Sequence, residues 1–71
     1  MPITLKAARV NKNLSQKEAG SRLGVSSDVI SNWERGRTFP DVIQLKAIEN
    51  LYGVSYNDII FLPTKSDLTE L

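Results

Sequence analysis

Apolar residues recur along this chain at helical spacing, and glycines, prolines and small polar residues interrupt them. Ile3, Leu5 and Ala8 fall on one side and Lys6 and Lys12 on the other, which predicts a first helix capped by Thr4 and running to about Asn11. Asn13 and Leu14 then close a turn. A second helix starts after Ser15, where S-x-x-E over Ser15 to Glu18 can satisfy two orphan amides of the first turn. It stops at Gly24, because a residue closing a helix commonly takes a positive φ that disfavours a Cβ. Ser26 or Ser27 can cap a third helix. Ala19, Leu23, Val25, Ile30 and Trp33 give helices two and three a shared apolar stripe, and Gly20 leaves a gap where one can cross the other closely. The outer face of the third helix is then polar: Ser27, Asp28, Ser31 and Asn32.

Beyond it, Gly36 to Pro40 reads as a loop, since Pro40 disfavours helix at Phe39. Asp41 opens a fourth helix through a second box, D-x-x-Q to Gln44, with Val42, Leu45, Ile48 and Tyr52 inward and Gly53 at its end. A neighbouring stripe of Ile43, Ala47 and Leu51 is also apolar, more than one core-facing side needs. Ser55 begins a fifth, short helix through S-x-x-D to Asp58, carrying Tyr56, Ile59, Ile60 and Phe61 and ending at Pro63. The residues after it show no sustained periodicity. The expectation is an all-α domain over residues 1–62, five helices and no strand, followed by a loosely ordered tail over 63–71.

Seventy-one residues suffice for one domain near the lower size at which an apolar core alone holds a fold. With 41% hydrophobic and 24% charged residues, wholesale disorder is not expected. Cysteine and histidine are both absent. That removes disulfides, thiolate and imidazole metal sites and the commonest general bases, and it suits a cytoplasmic location. No signal pattern opens the chain, and its longest apolar run, Ile59 to Leu62, is too short to span a bilayer, so no membrane partner is expected. The net charge of +1 says little, but its distribution says more. Residues 1–40 carry seven basic and three acidic groups, whereas residues 41–71 carry two basic and five acidic. The basic part contains helices two and three, as a phosphate-facing surface requires, although the same charges can simply solvate the domain.

Two short helices hinged on a glycine form a helix-turn-helix, whose second helix enters the major groove of DNA. At this point the sequence resembles the DNA-binding domains of lambdoid-phage repressors and Cro proteins and of the bacterial Xre-type regulators. The likeness rests on S-Q-x-E at Ser15 to Glu18, L-G-V-S at Leu23 to Ser26, I-S-N-W-E-R-G at Ile30 to Gly36, Pro40, and Y-G-V-S at Tyr52 to Ser55. It covers about residues 4 to 61. It implies a compact five-helix lambda-repressor-like fold with the helix-turn-helix at its centre.

The resemblance implies base contacts from Ser27, Asp28 and Asn32. Asn32 can pair with N6 and N7 of adenine, whereas Ser27 can bond to almost any base edge. Asp28 departs from the amide or basic residue expected at a reading position. It can accept from N4 of cytosine, or it can merely favour the positive end of the helix. Val29 can touch a thymine methyl or close the core edge. Gln16, at the amino end of helix two, is assigned by the resemblance to a DNA phosphate, and Lys12, Lys17, Ser31, Arg37 and Thr38 are further phosphate candidates. Arg9 and Glu34 hold positions that pair in the family, so they are taken as a structural ion pair. Trp33 falls on the inward side with Ile30 and is expected in the core.

One recognition helix reaches about four or five base pairs, so two copies and a near-palindromic operator are expected, with half-sites about 34 Å apart. Leu51, Tyr56, Ile60 and Phe61 are the candidate homodimer contacts. Six to eight phosphate contacts per dimer would give a slope of roughly −5 to −7 in log affinity against log salt. The function expected is a sequence-specific, Cro- or repressor-like transcription regulator that binds double-stranded DNA and needs no cofactor. The alternative is an antitoxin-like interaction module whose acidic C-terminal tail engages a protein partner. An enzyme is not expected, because none of the nucleotide-binding, nucleophile-elbow or zinc-protease motifs occurs.

Overall fold

A computed structural model describes residues 2–61, in the order β1 (Ile3–Thr4), α1 (Leu5–Asn11), α2 (Gln16–Leu23), α3 (Ser27–Glu34), α4 (Val42–Tyr52), a 3-10 turn (Tyr56–Asp58) and β2 (Ile59–Ile60). Each α-helix starts where a side chain replaces a missing backbone partner. Thr4 Oγ1 accepts from the Ala7 amide at 3.1 Å, and Ser26, the nearer of the two candidate serines to the chain start, accepts from Val29 at 3.3 Å. Both predicted boxes close: Ser15 with Glu18 around the start of α2, and Asp41 with Gln44 around the start of α4. Gly24 and Gly53 end α2 and α4 at φ of 74° and 68°, the left-handed region where a Cβ is strained.

The core comprises Leu5, Ala8, Ala19, Ile30, Trp33, Ile48, Tyr52 and Ile59, with Ile30 and Ile48 at its centre. Trp33 is only 5% exposed, so its indole packs the helices together and is closed to base stacking. Packing is closest between α2 and α3. A Cβ built on Gly20 would lie 2.6 Å from the Val25 carbonyl oxygen, so the start of α3 rests directly on the α2 backbone. Among the described residues no helix is long and apolar enough to cross a membrane.

Two expectations are corrected. The fifth helix is instead a three-residue 3-10 turn followed by β2, which pairs in parallel with β1 in the register Ile3 with Ile59 and Thr4 with Ile60. The described residues therefore contain four α-helices and two short strands. Two local bonds divert the chain: Ser55 Oγ accepts from Asn57, only two residues on, and Glu49 Oε2 takes the Tyr56 amide at 2.6 Å. Ile59 is then buried and Ile60 exposed, the alternation of a strand. The second correction concerns Val42, expected inward and in fact 73% exposed. Its helix faces the core through Ile48 and Tyr52, while the first turn, with Val42 and Ile43, overhangs it. The predicted boundary at Leu62 and the tail over 63–71 lie outside the described residues.

Candidate nucleic-acid interface

The surface expected to meet DNA is built on α3. Ser27 and Asp28 stand exposed in its first turn, with Ser31 and Asn32 half-buried further along. Ser26 provides the cap, and Asp28 makes no hydrogen bond or ion pair with the described residues. Its carboxylate keeps its acceptor lone pairs exposed, and it lies in the first turn, at the positive end of the helix. Val29 is half-buried and packs against the core cluster, so its backbone anchors the turn that Ser27 and Asp28 project from.

The loop after α3 is tied to the same helix. The Asn32 carbonyl accepts from the Arg37 amide at 2.9 Å and from Thr38 at 3.5 Å, which fixes where the exposed Arg37 and Thr38 side chains emerge. The Asn32 carbonyl is thus committed to the loop, and the half-buried Asn32 side-chain amide makes no hydrogen bond with the described residues. Lys17 is exposed in the first turn of α2. Lys12 is exposed in the turn before α2, and its Nζ is 3.1 Å from where a Gly53 Cβ would be, over the C-terminal end of α4, where carbonyls concentrate negative charge.

Beneath this face lies the pair expected to be structural. Arg9 Nε donates to Glu34 Oε2 at 2.6 Å and Nη2 donates to Oε1 at 3.3 Å, with both residues buried. Arg9 Nη1 also donates to the Leu14 carbonyl at 2.6 Å, which ties the turn between α1 and α2 to the same group. The hydrogen bond with Glu34 raises the Arg9 guanidinium further above its ordinary value, against the opposing effect of burial. Removing one member of such a pair leaves a buried charge without its partner, at a cost of about 3 to 5 kcal/mol.

Gln16 belongs partly to this network. Its Nε2 donates to Glu34 Oε1 at 3.1 Å, so the side chain assigned to phosphate is oriented by the buried pair. A cavity of about 340 Å³ opens there, lined by Lys6, Gln16, Ser31, Glu34 and Arg35. Lys6 and Arg35 are the side chains that sequence reasoning missed. The signal was present in the spacing: Lys6 lies one turn before Arg9 on α1, so the partner of Arg9 brings Lys6 toward the end of α3. Glu34 is neutralised by Arg9, and the cavity rim is therefore cationic.

The proposed dimer residues divide. Tyr56 and Ile60 are exposed, whereas Leu51 and Phe61 pack partly against the core, Phe61 with its ring edge-on to Phe39 at 5.8 Å and 71°. A third helix with exposed polar residues in its first turn, seated on a second helix with cations at its flanks, is the architecture of a helix-turn-helix domain.

Comparison with known proteins gives the family. The helix-turn-helix family profile matches residues 5–59, and the chain belongs to that family, in its Xre-type branch. It is 34% identical over 56 residues to the HTH-type transcriptional activator BcrR of Enterococcus faecalis, over 79% of this chain and 28% of that protein. It is 41% identical over 51 residues to the HTH-type transcriptional regulator ImmR of Bacillus subtilis, over 72% of this chain and 40% of that one. A third relative, the uncharacterized HTH-type transcriptional regulator y4dJ of Sinorhizobium fredii, is 38% identical over 52 residues and is spanned to 68% of its length. The chain thus spans well under half of BcrR and ImmR.

Proposed function

We propose that this protein is a sequence-specific transcription regulator that reads an operator half-site in the major groove of double-stranded DNA through the first turn and outer face of α3. The observation that carries the reading is the exposure of Ser27 and Asp28 on a helix whose opposite side holds the buried Ile30 and Trp33. Ser27, Asp28, Val29 and Asn32 supply the base contacts. Gln16, Lys17, Ser31, Arg37 and Thr38 hold backbone phosphates, joined by Lys6 and Arg35 at the cationic cavity, while Lys12 adds positive charge from the end of α4. The names of BcrR and ImmR support regulation of transcription as the outcome.

Two copies bind a near-palindrome, because one α3 covers too few base pairs to select a site. Occupancy of the operator is itself the regulatory act, in the manner of a Cro or repressor protein, and no chemistry is performed. The antitoxin-like alternative, in which DNA binding is secondary, draws on the acidic tail, which lies outside the described residues, and on Asp28, an acidic side chain exposed on the face assigned here to DNA. The test is Asn32→Ala on a panel of duplexes carrying single changes in the preferred site. Discrimination at one base pair should fall by about 1 to 3 kcal/mol with non-specific binding nearly intact. An equal loss on every duplex would remove Asn32 from the reading face.

A further inference from the structure

A carboxylate is an unexpected group on a surface that has to approach phosphates. Helix α3 carries two acids, and the fold treats them oppositely. Glu34 is buried and held by Arg9, with Nε 2.6 Å from Oε2. Asp28 is exposed in the first turn and makes no hydrogen bond or ion pair with the described residues. Capping does not account for it, because the Ser26 hydroxyl already accepts from the Val29 amide at 3.3 Å. The positive end of the helix favours a negative charge there, but a neutral amide or hydroxyl would avoid repulsion by a polyanion.

We propose that Asp28 selects cytosine, its carboxylate accepting from the exocyclic N4 amine in the major groove while its charge weakens binding to other sequences, a role that rests on the reading of α3 as the helix that meets base edges. An ionised carboxylate can only accept. Guanine O6 and N7 and thymine O4 are acceptors as well and repel it, and adenine sets its N7 acceptor beside the N6 donor. Cytosine presents the N4 donor with no acceptor on its own groove edge. The hydrogen bond formed there offsets the repulsion from the phosphates, and on any other base the repulsion stands alone, so one side chain both attracts the right site and rejects the wrong ones. Ser27, its exposed neighbour, donates and accepts alike and discriminates little. The position of the cytosine follows from the helix. Asp28 and Asn32 are four residues apart on one face of α3, about 6 Å along its axis. Bases stack about 3.4 Å apart, so for a helix lying along the groove the cytosine falls within about two base pairs of the contact made by Asn32.

The full chain and its variants Asp28→Asn and Asp28→Ala would each be put through selection from a random duplex pool, with thermal melts and binding to an unrelated duplex measured alongside. The unaltered protein should fix cytosine at one position of each half-site. D28N, whose amide pairs with N6 and N7 of adenine, should switch that position alone from cytosine to adenine by at least about tenfold, and D28A should leave it without preference. Both variants should bind the unrelated duplex about two- to fivefold tighter, one negative charge having been removed. A half-site without a fixed cytosine, or a cytosine that survives D28N or D28A, would overturn the proposal and leave Asp28 a stabilising charge at the helix end, seen as a lower melting temperature in both variants. Pools that stay unenriched with the unaltered protein and with D28N alike would instead remove α3 from base reading, and the proposal with it.

Discussion

Tyr52 is the residue where burial and charge meet. It is 3% exposed at the C-terminal end of α4, and burial, reinforced by the nearby Glu34 carboxylate, pushes its hydroxyl from the usual 10 up to about 12. A raised pKa means that the folded state holds the proton after the unfolded chain has lost it. The contribution is complete below pH about 10 and is lost as pH rises toward about 12, up to about 2 to 3 kcal/mol in all. Thermal melts between pH 8 and 12 should therefore show a steep loss of stability above 10 that is much reduced in Tyr52→Phe. Equal steepness in both proteins would assign the alkaline limb to other groups. The Arg9 and Glu34 pair is legible in the sequence only through family resemblance, because nothing local in either residue's neighbourhood names a partner 25 positions away. Gln16 shows the same limit: its place at the start of α2 is readable from the box, its bond to Glu34 is not.

Among the elements, α2 and α3 depend on two glycines for different physical reasons. Gly24 has a φ of 74°, and nothing lies within 4 Å of where its Cβ would stand, so Gly24→Ala meets backbone strain alone, about 1 kcal/mol. Gly20 is helical, and an added methyl would collide with the Val25 carbonyl at 2.6 Å, backbone that cannot move without lifting α3. Gly20→Ala should accordingly cost more stability than G24A in denaturant titrations and should weaken DNA binding beyond its effect on folding, whereas G24A should bind normally once folded. If G20A proved the milder change, α3 would not be seated as described. Caps and helix ends are readable throughout because they are local: Thr4, Ser15, Asp41, Gly24 and Gly53 act on amides and carbonyls within a few residues. The segment after Ser55 is not. Its pattern of Ile59, Ile60 and Phe61 fits one turn of helix as well as a strand, and what decides it is pairing with Ile3 and Thr4 at the other end of the chain. Val42 escapes for another reason, since periodicity gives the direction of a side chain and not how far along a helix the core extends.

On the scale of the whole molecule, the face of α3 proposed to read DNA, with its cationic flanks, stands over the buried pair that orients Gln16. The charge division along the sequence already points to that face, since the basic surplus lies in residues 1–40. The apolar excess of α4 is also visible in the sequence, but the exposure of Val42 and Ile43 is not. The central claim is that α3 reads base sequence, and selection of bound duplexes from a random pool tests it most directly. The account predicts a near-palindromic consensus whose half-sites are centred about 10 base pairs apart, one turn of B-DNA. A pool that remains unenriched after repeated rounds, while the protein still retains duplex, would contradict it.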